Sequence, residues 1–221
     1  MNSKYIVLAL TALLAIGGCT KKVKLDTDTQ KGSYAVGHQI GSNMKQQGIE
    51  LDSDALSGGI VDALKGDKSK LTPEDTQKAL MALQKASSDK QAALSEKNKN
   101  EGKAFLEKTK ADMKVTASGL QYKVLTEGTG PMPKDTDTVV AHYKGTLTNG
   151  EKFDSSYDRG QPAEFPVKGV IPGWTEALKM MKVGSKWLLH IPPELGYGPN
   201  PRPGIPGNSV LIFEVELVKI K

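Results

Sequence analysis

The chain has 221 residues, long enough for one large domain or two small ones. Hydrophobic residues make up 38% of it and charged residues 25%, a balance that excludes a polytopic membrane protein. The net charge of +5 comes largely from scattered lysines. Nucleic-acid binding requires Lys and Arg gathered in one patch with aromatic residues among them, so we predict no nucleic-acid partner.

The N-terminal residues 1–18 have the pattern of a secretory signal peptide. Lys4 precedes an apolar run over residues 5–16, and the small residues Gly17 and Gly18 follow it. The run is too short to span a bilayer, which requires about 20 apolar residues. We therefore predict a signal peptide rather than a membrane-spanning helix.

The residues Ile16-Gly17-Gly18-Cys19 resemble the lipobox of bacterial lipoproteins, in which the cysteine is acylated and becomes the mature N-terminus. This resemblance implies lipidation of Cys19, attachment to a membrane through it, and a polar tether over residues 19–32. The next residue is Thr20 rather than Asp, which by the same analogy implies an outer membrane lipoprotein facing the periplasm or the surface. The alternative is a plain secreted protein in which Cys19 lies near the cleavage site by chance.

Metal and thiol chemistry are not indicated by the composition. Cys19 is the only cysteine, so the chain can form neither an internal disulfide nor a thiolate metal cluster. The three histidines show no metal-ligand spacing, and we predict no metal site and no cofactor. We interpret His142 as a structural residue that points outward from its strand, and His190 as a surface residue of another strand.

Helical periodicity is clear over residues 33–48, where small and apolar residues recur every three or four positions. Gly37 and Gly41 lie on that face. Because Gly costs about 1 kcal/mol against Ala inside a helix, the pair predicts close approach of another helix; the alternative is a frayed, poorly packed helix. A second short helix is predicted over residues 54–65, ended by Gly66.

A long connecting helix is predicted over residues 73–113. Thr72-Pro73-Glu74-Asp75 combines a hydroxyl N-cap, a proline at the first position and acidic residues in the first turn. A helix over the whole range would extend about 60 Å. Its stretch from residue 87 to 103 is almost wholly polar, which is typical of a spacer helix exposed to solvent.

The short helices cannot build a core of useful size alone. We therefore predict that residues 33–90 pair with a second copy of the chain. In this interpretation residues 33–72 form a helical dimerisation module, and the protein is a homodimer.

The second half changes in composition, with eleven of the twelve prolines after residue 130. Alternating apolar residues predict strands over 120–126, 138–147, 186–191 and 210–219, and Asn149-Gly150 predicts a hairpin turn. One short helix is predicted over residues 175–182. One helix against antiparallel strands makes an α+β domain over residues 115–221.

Five motifs follow one another in this half: VAHYKG at 140–145, GEKFDSS at 150–156, VIPGW at 170–174, LGYG at 195–198 and LIFEV at 211–215. In this order they resemble the FKBP-type peptidyl-prolyl cis-trans isomerases, which implies a sheet wrapped on one short helix. The helical half, with YAVG at 34–37, QGI at 47–49 and GKAFL at 102–106, is similar to the dimeric macrophage infectivity potentiator proteins and their periplasmic relatives.

The resemblance implies a pocket for a proline ring. It implies catalytic roles for Tyr143, Phe153, Asp154, Tyr197 and Phe213, and substrate binding by Val170, Ile171, Trp174, Ile205 and Arg159. Trp174 would form the floor, the Ile171 N–H and the Tyr197 hydroxyl would hold the carbonyls beside the ring, and Arg159 would support Asp154. Without the resemblance, Asp154 is interpretable as a turn aspartate bonded to the following backbone, and Trp174 and Phe213 as ordinary core residues.

Two departures from the family pattern are visible. Ala163 stands where family members often have Phe, which predicts a pocket that is more open on that side. The segment after Tyr197 carries four prolines at positions 199, 201, 203 and 206, which predicts a stiff loop with Ile205 as its pocket contact.

The function implied is non-covalent catalysis of Xaa–Pro rotation during protein folding in the bacterial cell envelope. The expected partners are unfolded or proline-containing proteins, together with rapamycin-type macrolide inhibitors. The alternative is a dimeric chaperone or client-binding module in which isomerisation is secondary.

Overall fold

The computed structural model describes residues 23–221. Helices occupy the first half of this range. α1 spans Asp28–Gln46, α2 spans Ser53–Lys65 and α3 spans Pro73–Thr109, followed by one 3₁₀ turn at Lys110–Asp112. Cys19 and the predicted signal peptide lie outside the described residues. Within residues 23–221 no helix has the length and apolarity needed to cross a membrane.

The local signals that begin and end helices act as the sequence predicts. Thr72 Oγ1 accepts a hydrogen bond from the Asp75 amide at 3.1 Å at the start of α3. Asp52 caps α2 in the same way, and Gly66 ends that helix with φ at 78°, a left-handed conformation that glycine adopts without a steric penalty. Side-chain caps of this kind contribute about 1 kcal/mol each.

The apolar residues of the first two helices are left uncovered. No residue of α1 or α2 is buried. Leu64 in α2 is 84% exposed, and Leu80 and Met81 at the start of α3 are 62% and 63% exposed. This stretch therefore presents apolar surface to its surroundings.

The middle of α3 contacts the segment that follows α1. Ser87 Oγ and Gln91 Nε2 both donate to the Gln47 carbonyl, at 3.2 and 2.6 Å, and Lys90 forms an ion pair with Glu50. The polar side chains of this stretch are thus partly used in contacts within the chain. A helix exposed to solvent on all sides was the expectation, and it is wrong here.

The second half is a seven-stranded antiparallel sheet with one helix packed on it. The strands are β1 (Lys114–Val115), β2 (Gln121–Thr126), β3 (Thr138–Thr146), β4 (Lys152–Ser155), β5 (Ala163–Pro166), β6 (Lys186–Ile191) and β7 (Leu211–Ile220), and α4 spans Pro172–Met180. Their order is β1-β2-β6-β7-β3-β4, with β5 paired to the first half of β3. The predicted α+β class is confirmed.

The core lies between α4 and one face of this sheet. Leu178 and Met181 pack against alternate residues of the central strands, such as Leu189, Val215 and Leu217, all of them at most 1% exposed. Each fully buried aliphatic side chain contributes about 1.5–3 kcal/mol. The inward residues of β7 are those that its alternation predicts.

His190 corrects one expectation, because it is buried rather than on the surface. It is 6% exposed. Its Nδ1 lies 3.2 Å from Thr109 Oγ1, and its ring lies 4.9 Å from that of Phe105. Both partners belong to the last turns of α3, which cover β6. Burial lowers the pKa of His190 below its ordinary value.

Candidate active site

An open cavity of about 780 Å³ lies at the N-terminal end of α4. Nine of the ten predicted site residues line it: Tyr143, Phe153, Asp154, Val170, Ile171, Trp174, Tyr197, Ile205 and Phe213. The tenth, Arg159, reaches it through Asp154. Phe165, Gly169, Arg202 and Pro203 also line the cavity and were not among the predicted residues.

Trp174 forms the floor from the first turn of α4. Pro172 fixes the start of that helix and Ile171 is its N-cap. The Trp174 ring meets Tyr143, Phe165 and Phe213 edge to face, with centroids 5.2 to 5.4 Å apart. Such pairs contribute about 0.5–1.5 kcal/mol each beyond their burial, so the floor is held on several sides.

The wall depends on a glycine in the first motif. A Cβ atom at Gly145 would lie 2.6 Å from the Phe153 ring and 2.7 Å from the Phe213 ring. These two rings meet edge to face at 5.4 Å directly above β3. Only a residue without a side chain lets both rings approach the strand so closely.

Phe165 supplies a wall that sequence reasoning missed. It lies on β5 and its ring is 5.7 Å from that of Tyr143. Ala163, where an opening was expected, lies two residues earlier on the same strand and does not line the cavity. Residues two apart on a strand share a face, so this face of β5 still presents an aromatic ring. The alternation Ala163-Glu164-Phe165 was the available signal.

A three-membered polar network forms the edge of the cavity. Tyr143 Oη donates to Asp154 Oδ2 at 2.6 Å, Arg159 Nη1 donates to Asp154 Oδ1 at 2.6 Å, and Arg159 Nη2 donates to Tyr143 Oη at 2.5 Å. The carboxylate is thus held by two side chains, and the turn that follows contributes only a weaker interaction with the Ser155 backbone.

The network keeps Asp154 ionised. Burial acts to raise the pKa of Asp154, but the hydrogen bonds from Tyr143 and Arg159 and the charge of Arg159 outweigh it, so the pKa lies below its ordinary value. Burial, and then the neighbouring carboxylate, raise the pKa of Tyr143, which stays protonated. The cavity edge therefore carries a fixed negative charge beside a neutral hydroxyl.

Three hydrogen-bond donors on residues that line the cavity have no partner within residues 23–221, and one of them is the buried Trp174 Nε1 of the floor. The Ile171 N–H donates to no group there, because the N-cap residue uses only its carbonyl, toward Trp174 and Thr175. The Tyr197 hydroxyl makes no hydrogen bond among the described residues, and the Arg202 guanidinium lies 5.6 Å from the Tyr197 ring centroid. The Ile171 N–H and the Tyr197 hydroxyl are available to a bound molecule.

The proline-rich segment, residues 199–209 and hereafter the pocket loop, closes the remaining side. Arg202 and Ile205 exchange two backbone hydrogen bonds of 2.8 Å around the turn at Pro203-Gly204. This turn carries Ile205 into the cavity wall, where it is 6% exposed.

Comparison with known proteins identifies the family. The protein-family model described as FKBP-type peptidyl-prolyl cis-trans isomerase matches residues 130–218. A second family model, for the domain amino terminal to FKBP-type peptidyl-prolyl isomerase, matches residues 29–124. The chain belongs to the FKBP-type peptidyl-prolyl cis-trans isomerases, and the resemblance recognised from its motifs is confirmed.

Relatives match along almost the whole chain. It is 43% identical over 229 residues to the FKBP-type peptidyl-prolyl cis-trans isomerase FkpA of Escherichia coli K12, covering 98% of this chain and 84% of FkpA. It is 42% identical over 233 residues to the outer membrane protein MIP of Legionella longbeachae, covering 100% and 99%. The crystal structure of FkpA from Escherichia coli matches 90% of this chain and 99% of that chain with a TM-score of 0.63. The protein is a peptidyl-prolyl isomerase with an N-terminal helical region, as predicted.

Proposed function

We propose that the cavity floored by Trp174 is the site at which this isomerase rotates Xaa–Pro bonds. The observation that carries the proposal is the apolar, aromatic cavity with two unpartnered donors, the Ile171 N–H and the Tyr197 hydroxyl, at its edge. A proline ring packs on Trp174, with Tyr143, Phe153 and Phe213 as the walls around it. The two donors hold the carbonyls on either side of it.

Rotation about the Xaa–Pro amide needs no nucleophile, because no covalent bond is made or broken. The barrier of about 18–20 kcal/mol arises from amide resonance, and the uncatalysed reaction takes about tens to hundreds of seconds. The planar amide is more dipolar than its twisted transition state, so an apolar pocket favours the twist. The hydrogen bonds then select the rotated carbonyl geometry.

Asp154 is the polar group best placed to face the rotating carbonyl. Its carboxylate is fixed by Tyr143 and Arg159 rather than free to turn. A fixed charge costs no reorganisation when the carbonyl dipole turns. In this proposal Arg159 positions Asp154 and does not itself touch the substrate.

The test is the cis-to-trans rate of a Leu-Pro or Phe-Pro peptide with the mature protein, with and without rapamycin. We expect acceleration that the macrolide blocks, and a loss of at least tenfold in kcat/KM for Phe153→Ala and for Asp154→Ala. A Lys123→Ala variant, at an exposed position of β2 that does not line the cavity, serves as the control. Full activity in both pocket variants would refute this location of the site.

We further propose that the protein forms a homodimer and is anchored in the cell envelope. The uncovered side chains of Leu64, Leu80 and Met81 support pairing of residues 33–90 with a second copy. The Cys19 motif and a relative named as an outer membrane protein support anchoring in the envelope by a lipid. Sedimentation of the full chain and mass analysis of its N-terminus test these points, and a monomer or an unmodified Cys19 contradicts them.

A second function, client binding, draws on the same uncovered apolar surface. Non-native chains bind exposed apolar patches, and this helical surface is separate from the cavity residues. In that case Phe153→Ala should lose isomerisation yet suppress aggregation of a denatured protein, whereas deletion of residues 33–72 should do the reverse. Loss of both activities in Phe153→Ala would exclude separate roles.

A further inference from the structure

One face of α3 is docked on the isomerase domain. The carbonyl of Leu106 adds one contact, and the five other contacting residues recur every three or four positions: Ser95, Asn98, Gly102, Phe105 and Thr109. This spacing places them on one side of the helix. The last turn is anchored on Gln121, which accepts from Thr109 Oγ1 at 2.9 Å and donates to the Leu106 carbonyl at 2.8 Å.

The earlier half of this face contacts the pocket loop. Asn98 Nδ2 donates to the Gly207 carbonyl at 3.1 Å, and Asn208 Nδ2 donates to Ser95 Oγ at 3.0 Å. Each of these hydrogen bonds joins residues that are more than one hundred positions apart in the sequence. They are part-buried, so water competes with them less than at an open surface.

Close packing accompanies these hydrogen bonds. Among residues 73–109, all described, Gly102 is the one buried residue of α3. A Cβ atom there would lie 2.8 Å from Val210 Cγ2, next to the pocket loop. A Cβ atom at Gly207 would lie 2.9 Å from Ser95 Oγ and 2.5 Å from the Pro199 carbonyl. The end of the loop is therefore enclosed between its own start and the helix.

The loop backbone at this contact is unusual. Asn208 has φ at 55°, the left-handed region that Asn tolerates better than most residues. Its amide donates to the Gly198 carbonyl at 2.7 Å, which closes the base of the loop beside Tyr197. Its side chain is the one held by Ser95. Asn208 thus links α3 to the base of the pocket loop.

We propose that Ser95 and Asn98 of α3 are positioning residues for the isomerase site, because they hold the pocket loop and with it Ile205 in the cavity wall. Neither residue touches the cavity. Their effect is on where Ile205 stands relative to Trp174 and Phe153, and so on how tightly the substrate is bound. The polar network at Tyr143, Asp154 and Arg159 lies outside this contact and is left intact.

The inference rests on the proposed site, and the experiment separates the two. Full-chain Ser95→Ala/Asn98→Ala is compared with Asn100→Ala, which removes an asparagine side chain two residues further along α3. Among the described residues, that side chain is hydrogen-bonded to Glu96 on the same helix. Asp154→Ala in the same assay reports on the site itself. The measurements are KM and kcat for a Leu-Pro peptide, hydrogen exchange of the Ile205 and Asn208 amides, and the melting temperature.

We expect the double variant to raise KM about three- to tenfold with kcat within twofold, and to speed exchange of both loop amides. Asn100→Ala should change neither. Ser95→Thr, which keeps the hydroxyl that Asn208 uses, should behave as the wild type, whereas Ser95→Ala should show part of the KM effect.

Three outcomes overturn the proposal while leaving the site in place, provided that Asp154→Ala is impaired. The first is unchanged KM with faster exchange, which would mean that loop position does not affect binding. The second is unchanged exchange, which would mean that the loop is held by its own turn. The third is a lower melting temperature together with a lower kcat, which would mean that the double variant destabilises the domain as a whole. If Asp154→Ala is fully active, the proposed site fails instead.

Discussion

Gly145 gives the sharpest test of how the cavity is built. A Cβ atom at this position would lie 2.6 Å from Phe153 and 2.7 Å from Phe213. Carbon atoms in favourable contact are about 3.5–4.0 Å apart, so Gly145→Ala forces the rings outward by about 1 Å. Phe213 cannot yield freely, because it also packs on Trp174 at 5.2 Å.

The expected magnitude follows from these contacts. Overpacking of this kind costs about 1–3 kcal/mol. A domain of this size loses about 4–8 °C in melting temperature per kcal/mol. Misplacement of substrate by about 1 Å can lower the rate by up to about a hundredfold. We therefore expect kcat/KM to fall ten- to hundredfold in Gly145→Ala.

The control is a glycine with a comparable steric conflict far from the cavity. A Cβ atom at Gly130 would lie 2.7 Å from Val183 Cβ, and neither residue lines the cavity. Gly130→Ala should lower the melting temperature about as much as Gly145→Ala does. At a temperature where it is folded, its kcat/KM should stay within about twofold of the wild type. If the two variants lost activity equally, or if Gly145→Ala kept wild-type activity, close packing of the two rings would not be what shapes the site.

Three further predictions concern pH and the N-terminal helices. The pKa of Asp154 is lower in the folded protein than in the unfolded chain, so its interactions stabilise the fold above the ordinary pKa of about 3.9. This stability is lost as the pH falls below that value. The urea midpoint should therefore fall less between pH 5 and 3 in Asp154→Asn than in the wild type. The folded pKa of His190 is also lowered, so the unfolded chain binds its proton first, and stability should fall as the pH drops below about 6.5. Urea midpoints at pH 7.5 and 5.5 measure this, and an equal fall in His190→Gln would contradict it. Leu64→Asp, at an 84% exposed position, should weaken self-association in sedimentation without lowering kcat/KM on a peptide, and an unchanged mass would argue against this surface as the dimer contact.

The sequence alone predicts the longer elements and most of the cavity. α3 begins at Pro73 as its capping residues indicate, and the alternation of β7 identifies its inward residues. The strands β1, β4 and β5 were not predicted, because two to four residues give only a weak alternation signal, such as Ala163-Glu164-Phe165 in β5. Phe165 was missed with β5.

The roles of single polar residues depend on partners that are distant in sequence. Asp154 sits in a segment that could equally form an ordinary turn, and only its contacts with Tyr143 and Arg159 distinguish the two interpretations. His190 is similar, since a strand residue is buried or exposed according to what covers the strand. Here the cover is the last part of α3.

The polar part of α3 shows why composition can mislead about burial. A helix with almost no apolar residues indicates a spacer, because apolar area is the usual reason for docking. Ser95 and Asn98 dock instead by hydrogen bonds to backbone and side chains of the pocket loop, which requires no apolar residue. The usable signal was Gly102, since a glycine within a long helix is destabilising unless another segment packs closely against it. Together with the three- and four-residue spacing from Ser95 to Thr109, that glycine indicates which side of the helix faces the domain.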